Sequence, residues 1–285
     1  MNNLISYLFK TKAIKVCPEN RPFWYTSGKI GPYFINAEFL YGGEEASKEL
    51  ITFINENMGD KINFPKKTSE ITYKNYQENA IYKEVIDTMK DLIEKNINVN
   101  EIDYVSGGER RDWFFSYVIA KLLNKPHITI YKDLSVVVSD LRSKESNKVS
   151  NIRNAKVLHV ADLLNASSSY KRAWIPAIQN INGKILWSIV AVDRLQGGEE
   201  YLESENIRSF SIIDIDKTLF DRALELKYMS GEQRDMVVNF IEEPDKTMED
   251  FLRVHPEFME ESLNSSDEKI RERARLCIES GAYNI

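Results

Sequence analysis

The stretch VLHVADLLNASSS, residues 157–169, decides the fold. It opens as a strand of branched and small apolar residues and reaches one aspartate, Asp162. It then turns through Asn165, Ala166, Ser167, Ser168 and Ser169 into a predicted helix, SSYKRAWIPAIQNI (168–181). A strand feeding a polar turn and then a helix offers an anion backbone N–H groups and the positive end of a helix dipole. The serines add hydroxyl donors. Asp162, at the strand end, is suited to accept bonds from ribose hydroxyls or to hold a Mg²⁺-bound water. A plainer reading has Asp162 and the serines only capping the helix. For a phosphate loop the turn is unusual, with no glycine and a single acidic residue.

Outward from this stretch, strands and helices alternate at short spacing. IDYVSGG (102–108) is a predicted strand ending in Gly107 and Gly108, and WFFSYVIAKLLNK (113–125) an apolar helix. PHITIYKD (126–133) is a strand that SVVVSD extends or follows, and KILWSIVAVDR (184–194) and IRSFSIID (207–214) are two more. Such alternation predicts an α/β fold, a mainly parallel central sheet flanked by helices. Ligands of such sheets bind at the carboxyl ends of the strands. That rule gathers Gly107–Gly108, Asp162–Ser169 and Asp193–Arg194 around one crevice.

The remaining segments read less clearly. Residues 2–16 suggest an amphipathic helix through Leu4, Leu8 and Ile14, and PFWYTSGKIGPYFINAEFLYGG (22–43) suggests short strands joined by a Ser-Gly-Lys turn. Helices are expected over 44–58 and 80–96, with a loop or insertion over the polar 60–79 and a mobile polar run over 140–154. Beyond about 215 the chain reads as helical. The expected organisation is a domain over 1–215, with an N-terminal hood of about 60 residues, and a helical extension over 216–285.

The net charge of −6, from 38 basic and 44 acidic residues, disfavours sequence-independent nucleic-acid binding, which needs clustered Lys and Arg. Cys17 and Cys277 belong to no metal-ligand spacing and imply no disulfide framework, which fits a reduced cytoplasm. MNNLISYLFKTKAIKV lacks the long apolar core of a signal peptide, and no run approaches the ~20 apolar residues that span a bilayer.

Four segments, in order, resemble the type I phosphoribosyltransferases, and among them the orotate branch. FWYTSGKIGPYFINAEFLYGG is similar to that branch's F-x-L-x-S-G-R-K-S-P-Y-F-x-N/D through Phe23, Ser27, Gly28, Pro32, Tyr33, Phe34 and Asn36. VSGGERRDWFFSYVIAKLLNKPHITIYKD resembles the strand, glycine loop, helix and strand that hold pyrophosphate. VLHVADLLNASSS lies where the family has D/E-D-V-x-T-x-G-x-S, and IVAVDRLQGGEE is similar to V-x-V-D-R-x-E-G-G.

The resemblance implies transfer of phosphoribosyl from phosphoribosyl pyrophosphate (PRPP) to a nitrogenous base. Pyrophosphate is released, and Mg²⁺ is carried mainly by PRPP rather than by a protein metal site. It also implies a homodimer. Catalysis would rest on positioning and charge stabilisation of an oxocarbenium-like transition state. Carried over by position, Asp162 and Lys132 are catalytic candidates at the ribose and the pyrophosphate. Lys29 and Phe34 fall on the base side, and Arg194 at a substrate carboxylate. Gly107, Gly108, Asn165, Ala166, Ser167, Ser168 and Ser169 form the loops that hold phosphate groups.

The departures concern the same chemistry. Ile30 replaces a lysine that in the family reaches PRPP and base, and Ala161 replaces the first acid of the pair. Ser167 replaces the loop glycine that lets the backbone close on the phosphate, so it either clashes there or takes a positive φ. The family's lysine and histidine in the loop after Lys132 are absent, leaving Arg142, Lys144 or Lys148 to serve from a shifted loop. Two readings therefore stand: an orotate-type transferase, or a binding protein of the same fold that holds PRPP or a nucleotide without turnover. Arg110 and Arg111 have an anion-binding reading beside that of a helix-start charge cluster. His159 and the residues Trp113, Phe114, Trp174 and Trp187 read as core.

Overall fold

The computed structural model describes residues 2–18, 21–142 and 145–284, so Lys144 lies outside the described residues. The chain divides into two compact units. One joins the residues up to Asn36 with those from Asp216 on; the other is Ala37–Ile215. The division differs from the one the sequence suggested, since the helices after residue 215 share a unit with the first 36 residues.

The N-terminal segment begins with α1 (Asn2–Lys10). The helix expected through residue 16 stops early: Lys12 takes a left-handed φ of 60°, and β-branched Ile14 and Val16 form a strand instead. That strand, β1 (Ile14–Val16), is followed by β2 (Phe23–Trp24), β3 (Ile30–Gly31) and β4 (Tyr33–Ile35). β2 and β3 form the expected hairpin around Ser27-Gly28, with Gly28 at φ 81°, and β1 pairs antiparallel with β4.

The central unit contains α2 (Glu44–Asn57), α3 (Phe64–Glu78), α4 (Ala80–Asn96), β5 (Tyr104–Gly108), α5 (Trp113–Leu122), β6 (His127–Ile130), β7 (Val136–Asp140) and β8 (Glu145–Lys148). It continues through β9 (Ala155–Leu164), a π-helical turn (Tyr170–Trp174) leading into α6 (Ile175–Asn180), β10 (Gly183–Asp193), α7 (Gly198–Ser204) and β11 (Arg208–Asp214). The seven-stranded sheet has the order β11-β10-β9-β5-β6-β7-β8. Its first five strands run parallel, and β7 and β8 are added by antiparallel pairing, which is the mainly parallel sheet the alternation predicts.

One expectation fails here. The segment 60–79 is not a loop: α3 buries Phe64, Thr68 and Thr72 on one face. The threonine hydroxyls donate to the carbonyls of Phe64 and Thr68 four residues earlier, so polar side chains occupy an inward stripe without unpaired groups. The polar run 140–154 contains β8, an edge strand rich in charged and polar residues, a composition that discourages pairing with other chains.

The C-terminal helices are α8 (Lys217–Glu225), α9 (Gly231–Glu242), α10 (Pro244–Val254), α11 (Glu257–Leu263) and α12 (Glu268–Ser280). Asp216 caps α8, Ser230 and Gln233 form a capping box on α9, and Gly281 closes α12 at φ 59°. They cover the N-terminal strands. Trp24 Nε1 donates to Ser262 Oγ at 2.9 Å, and the Ile30 N–H donates to the Tyr283 hydroxyl at 2.9 Å. Among the described residues no helix is long and apolar enough to cross a membrane.

Candidate functional site

Where β5 and β9 leave each other, the central unit opens a cavity of about 370 Å³ at the carboxyl ends of β5, β6 and β9. Asp162, Leu163, Asn165, Ser167, Ser168 and Ser169 line one wall. Glu109, Arg110, Arg111 and Asp112 line the other, with Lys132 at the end of β6 and Trp174 and Tyr170 behind. Of the residues the sequence singled out, Asp162, Lys132, Asn165, Ser167, Ser168 and Ser169 therefore meet here. Ala166 is exposed beside them without lining the cavity.

Gly107 and Gly108 sit behind the wall, and their value is steric. A Cβ on Gly107 would come within 2.2 Å of Ser116 Oγ, and one on Gly108 within 2.2 Å of the Trp174 ring. Arg194 follows β10 next to the turn, its N–H donating to the Leu164 carbonyl at 2.9 Å, but it does not line this cavity. Lys29 and Phe34 belong to the other unit. There Lys29 Nζ pairs with Asp245 at 2.7 Å, and Phe34 is 39% exposed with Tyr25 beside it. Ile30, at the position of the family's lysine, is buried at 1% exposure.

The turn keeps a glycine-like backbone without a glycine. Ser167 stands at φ 55°, and its buried hydroxyl donates to the Gly198 carbonyl at 2.9 Å. Gly198 must lack a side chain, because a Cβ there would lie 2.1 Å from the Asn165 carbonyl oxygen. The VDR-x-x-GG segment thus braces the 162–169 turn.

Three acids crowd the inner end. Burial, then the charges of Asp112 and Glu38, push the Asp162 carboxyl well above the usual carboxylate range, with Arg111 opposing. Arg111 Nε holds Glu38 at 2.8 Å, and Arg110 hydrogen-bonds Asn55. The Lys132 N–H donates to Glu109 Oε2 at 3.0 Å. Sequence reasoning left Asp112 inside a helix-start charge cluster and did not name Glu38. The N-cap position of α5 is Asp112, yet its side chain makes no cap bond.

Among the described residues no group of three or more His, Cys, Asp or Glu side chains is arranged to hold a metal ion. Both Asp112 oxygens accept backbone N–H groups, and Glu38 is tied to Arg111. Asp112 and Glu38 are therefore committed to partners other than a resident Mg²⁺.

No family model matches the sequence, and no curated protein matches it. The structure is similar to the UMP synthase of Leishmania donovani, with a TM-score of 0.57 and 14% identity over 85% of this chain and 42% of that one. It is also similar to the orotate phosphoribosyltransferase of Francisella tularensis, with a TM-score of 0.52 and 16% identity over 84% of this chain and 96% of that one. The fold is that of the type I phosphoribosyltransferases. The chain spans less than half the length of the UMP synthase it resembles. Within this phosphoribosyltransferase-like fold, the cavity stands where the strand-end rule puts a ligand.

Proposed function

We propose that the cavity takes PRPP and that the protein is a phosphoribosyltransferase-like transferase, joining a nitrogenous base to the ribose C1 with release of pyrophosphate. The observation that carries the reading is the left-handed Ser167 within an otherwise retained strand–turn–helix: the backbone of a phosphate loop persists where its glycine does not. In this reading Ser167–Ser169 and the N–H groups of the turn meet the 5-phosphate. Asp162 meets the ribose hydroxyls. Arg110, Arg111 and Lys132 face the diphosphate, for which arginine forks suit bidentate contact. Arg194 belongs to the base side. Mg²⁺ enters with the diphosphate, and a cytoplasmic homodimer is the working assembly.

A second reading, binding of PRPP or a nucleotide without turnover, is favoured by Ile30. Its side chain is buried and its N–H donates to Tyr283, so it brings no cation to the leaving group. Asp162 adds to that argument, since a carboxyl reluctant to ionise does less to stabilise an oxocarbenium-like centre.

Calorimetric titration of PRPP, with and without Mg²⁺, tests what the two readings share. Micromolar, Mg²⁺-sensitive binding supports both; none at millimolar PRPP overturns both. A base screen beginning with orotate then separates them. PRPP-dependent pyrophosphate release that Asp162→Asn abolishes identifies a transferase, and its absence leaves the binding protein.

A further inference from the structure

The parting of β5 and β9 that opens the cavity has a definite cause. Their parallel ladder runs Tyr104↔Val157, Val105↔Leu158, Ser106↔His159 and ends there. Past that point each strand still carries an N–H that the other no longer accepts. Asp112 takes both. Its Oδ2 accepts the Gly108 N–H at 2.9 Å and its Oδ1 accepts the Asp162 N–H at 3.1 Å.

A carboxylate thus replaces the next rungs of the sheet and holds the strands apart by its own width. Asp112 is only 6% exposed, and a buried carboxylate persists where donors surround it. His159 supplies the third contact. Its Nε2 lies 3.3 Å from Asp112 Oδ2 without completing a hydrogen bond, while its Nδ1 is fixed by Ser106 Oγ at 2.9 Å.

We propose that Asp112 is a positioning residue that sets the spacing between the Glu109–Asp112 wall and the Asp162 wall, so that a ligand anchored on both, a phosphorylated ribose bearing a C1 diphosphate, is held as one rigid body. The proposal rests on the phosphoribosyl reading of the cavity. It assigns Asp112 no contact with the ligand. His159 keeps the carboxylate aligned from behind, and the Ser106–His159 pair is the last closed rung beneath the cleft.

Asp112→Asn is nearly isosteric but leaves one oxygen to serve two N–H donors. Losing a charge-assisted bond of this kind is worth roughly tenfold or more in an equilibrium. Two measurements decide the matter. The first, amide hydrogen exchange on the ligand-free protein, needs no ligand. In Asp112→Asn, exchange at Gly108, Asp162 or both is expected to rise about tenfold, with 157–160 unchanged; unchanged exchange at both amides would overturn the proposal.

The second compares PRPP with ribose 5-phosphate and inorganic pyrophosphate, each of which occupies only one wall. The variant is expected to lose about tenfold in PRPP affinity while the two half-ligands stay within about threefold. An equal loss on all three would mean general damage and would also overturn it. If the unmodified protein binds none of the three, the phosphoribosyl reading has failed, and the exchange result alone decides whether Asp112 ties the walls together.

Discussion

Ser167 offers a test in which two opposing costs can be separated. In the left-handed region an L-residue costs about 1–2 kcal/mol relative to the right-handed one, a cost glycine does not carry. Against that, the hydroxyl's bond to the buried Gly198 carbonyl contributes about 1 kcal/mol, and leaving such an acceptor unpaired costs about 1–3 kcal/mol. Ser167→Gly removes the backbone cost and the bond together, so the two changes nearly cancel and its unfolding free energy should fall within about 1 kcal/mol of the parent. Ser167→Ala keeps the cost and loses the bond, so it should be less stable by about 1–2 kcal/mol. Urea denaturation of the three proteins by linear extrapolation reads both differences. An alanine variant as stable as the parent, or a glycine variant more than about 2 kcal/mol less stable, would refute the reasoning.

Further outcomes follow from other sites. Gly108→Ala should cost about 1–3 kcal/mol and weaken ligand binding, because the new Cβ meets the Trp174 ring that backs the cavity; thermal melts and titration check both. Burial, with Asp214, Glu199 and Glu200 adding repulsion, lifts the Asp193 carboxyl to about 6. A raised carboxyl favours the folded state fully below the unfolded value of about 3.9, and that contribution is lost as pH rises through about 6. Denaturation from pH 3 to 8 should therefore show the parent losing stability across that window relative to Asp193→Asn, whose Oδ1 still accepts the Leu195 N–H; parallel curves would contradict it. Ending the chain after residue 215 should expose Trp24, Ile30 and Tyr33 and yield an aggregating product. A monodisperse truncated protein would show that the C-terminal helices are dispensable to the N-terminal strands.

The parts legible in the sequence were those with a local cause. Alternation of apolar strands with apolar helices gave the parallel sheet, and the positive φ of Ser167 could be anticipated from its place in the turn. Ser27-Gly28 announced its hairpin for the same reason. α3 was hidden because Thr68 and Thr72 read as polar, although a threonine that bonds its own helix backbone can face inward. The strand β1 was hidden because Ile14 also fits a helical stripe. The helices after 215 gave no sign of their partner, since only the folded chain brings Tyr283 to Ile30 and Ser262 to Trp24. Asp112 was illegible as a bridge for the same kind of reason. Its role exists only where two strands whose partners lie 53 residues apart in sequence diverge.

The two changes in the 157–169 motif are physically different, and the surroundings of Asp162 show how. Serine in place of glycine is a conformational substitution, and its cost is met locally by the bond to Gly198. Alanine in place of the first acid is an electrostatic one. Ala161 is 2% exposed in the apolar cluster with Tyr170 and Trp174, and the alternation of a strand turns it to the face opposite Asp162. A carboxyl at residue 161 would be a buried charge among apolar side chains, which costs several kcal/mol unless it is protonated or paired. Ala161→Glu should therefore lower the unfolding free energy by several kcal/mol, which urea denaturation reads, and a variant as stable as the parent would refute the argument.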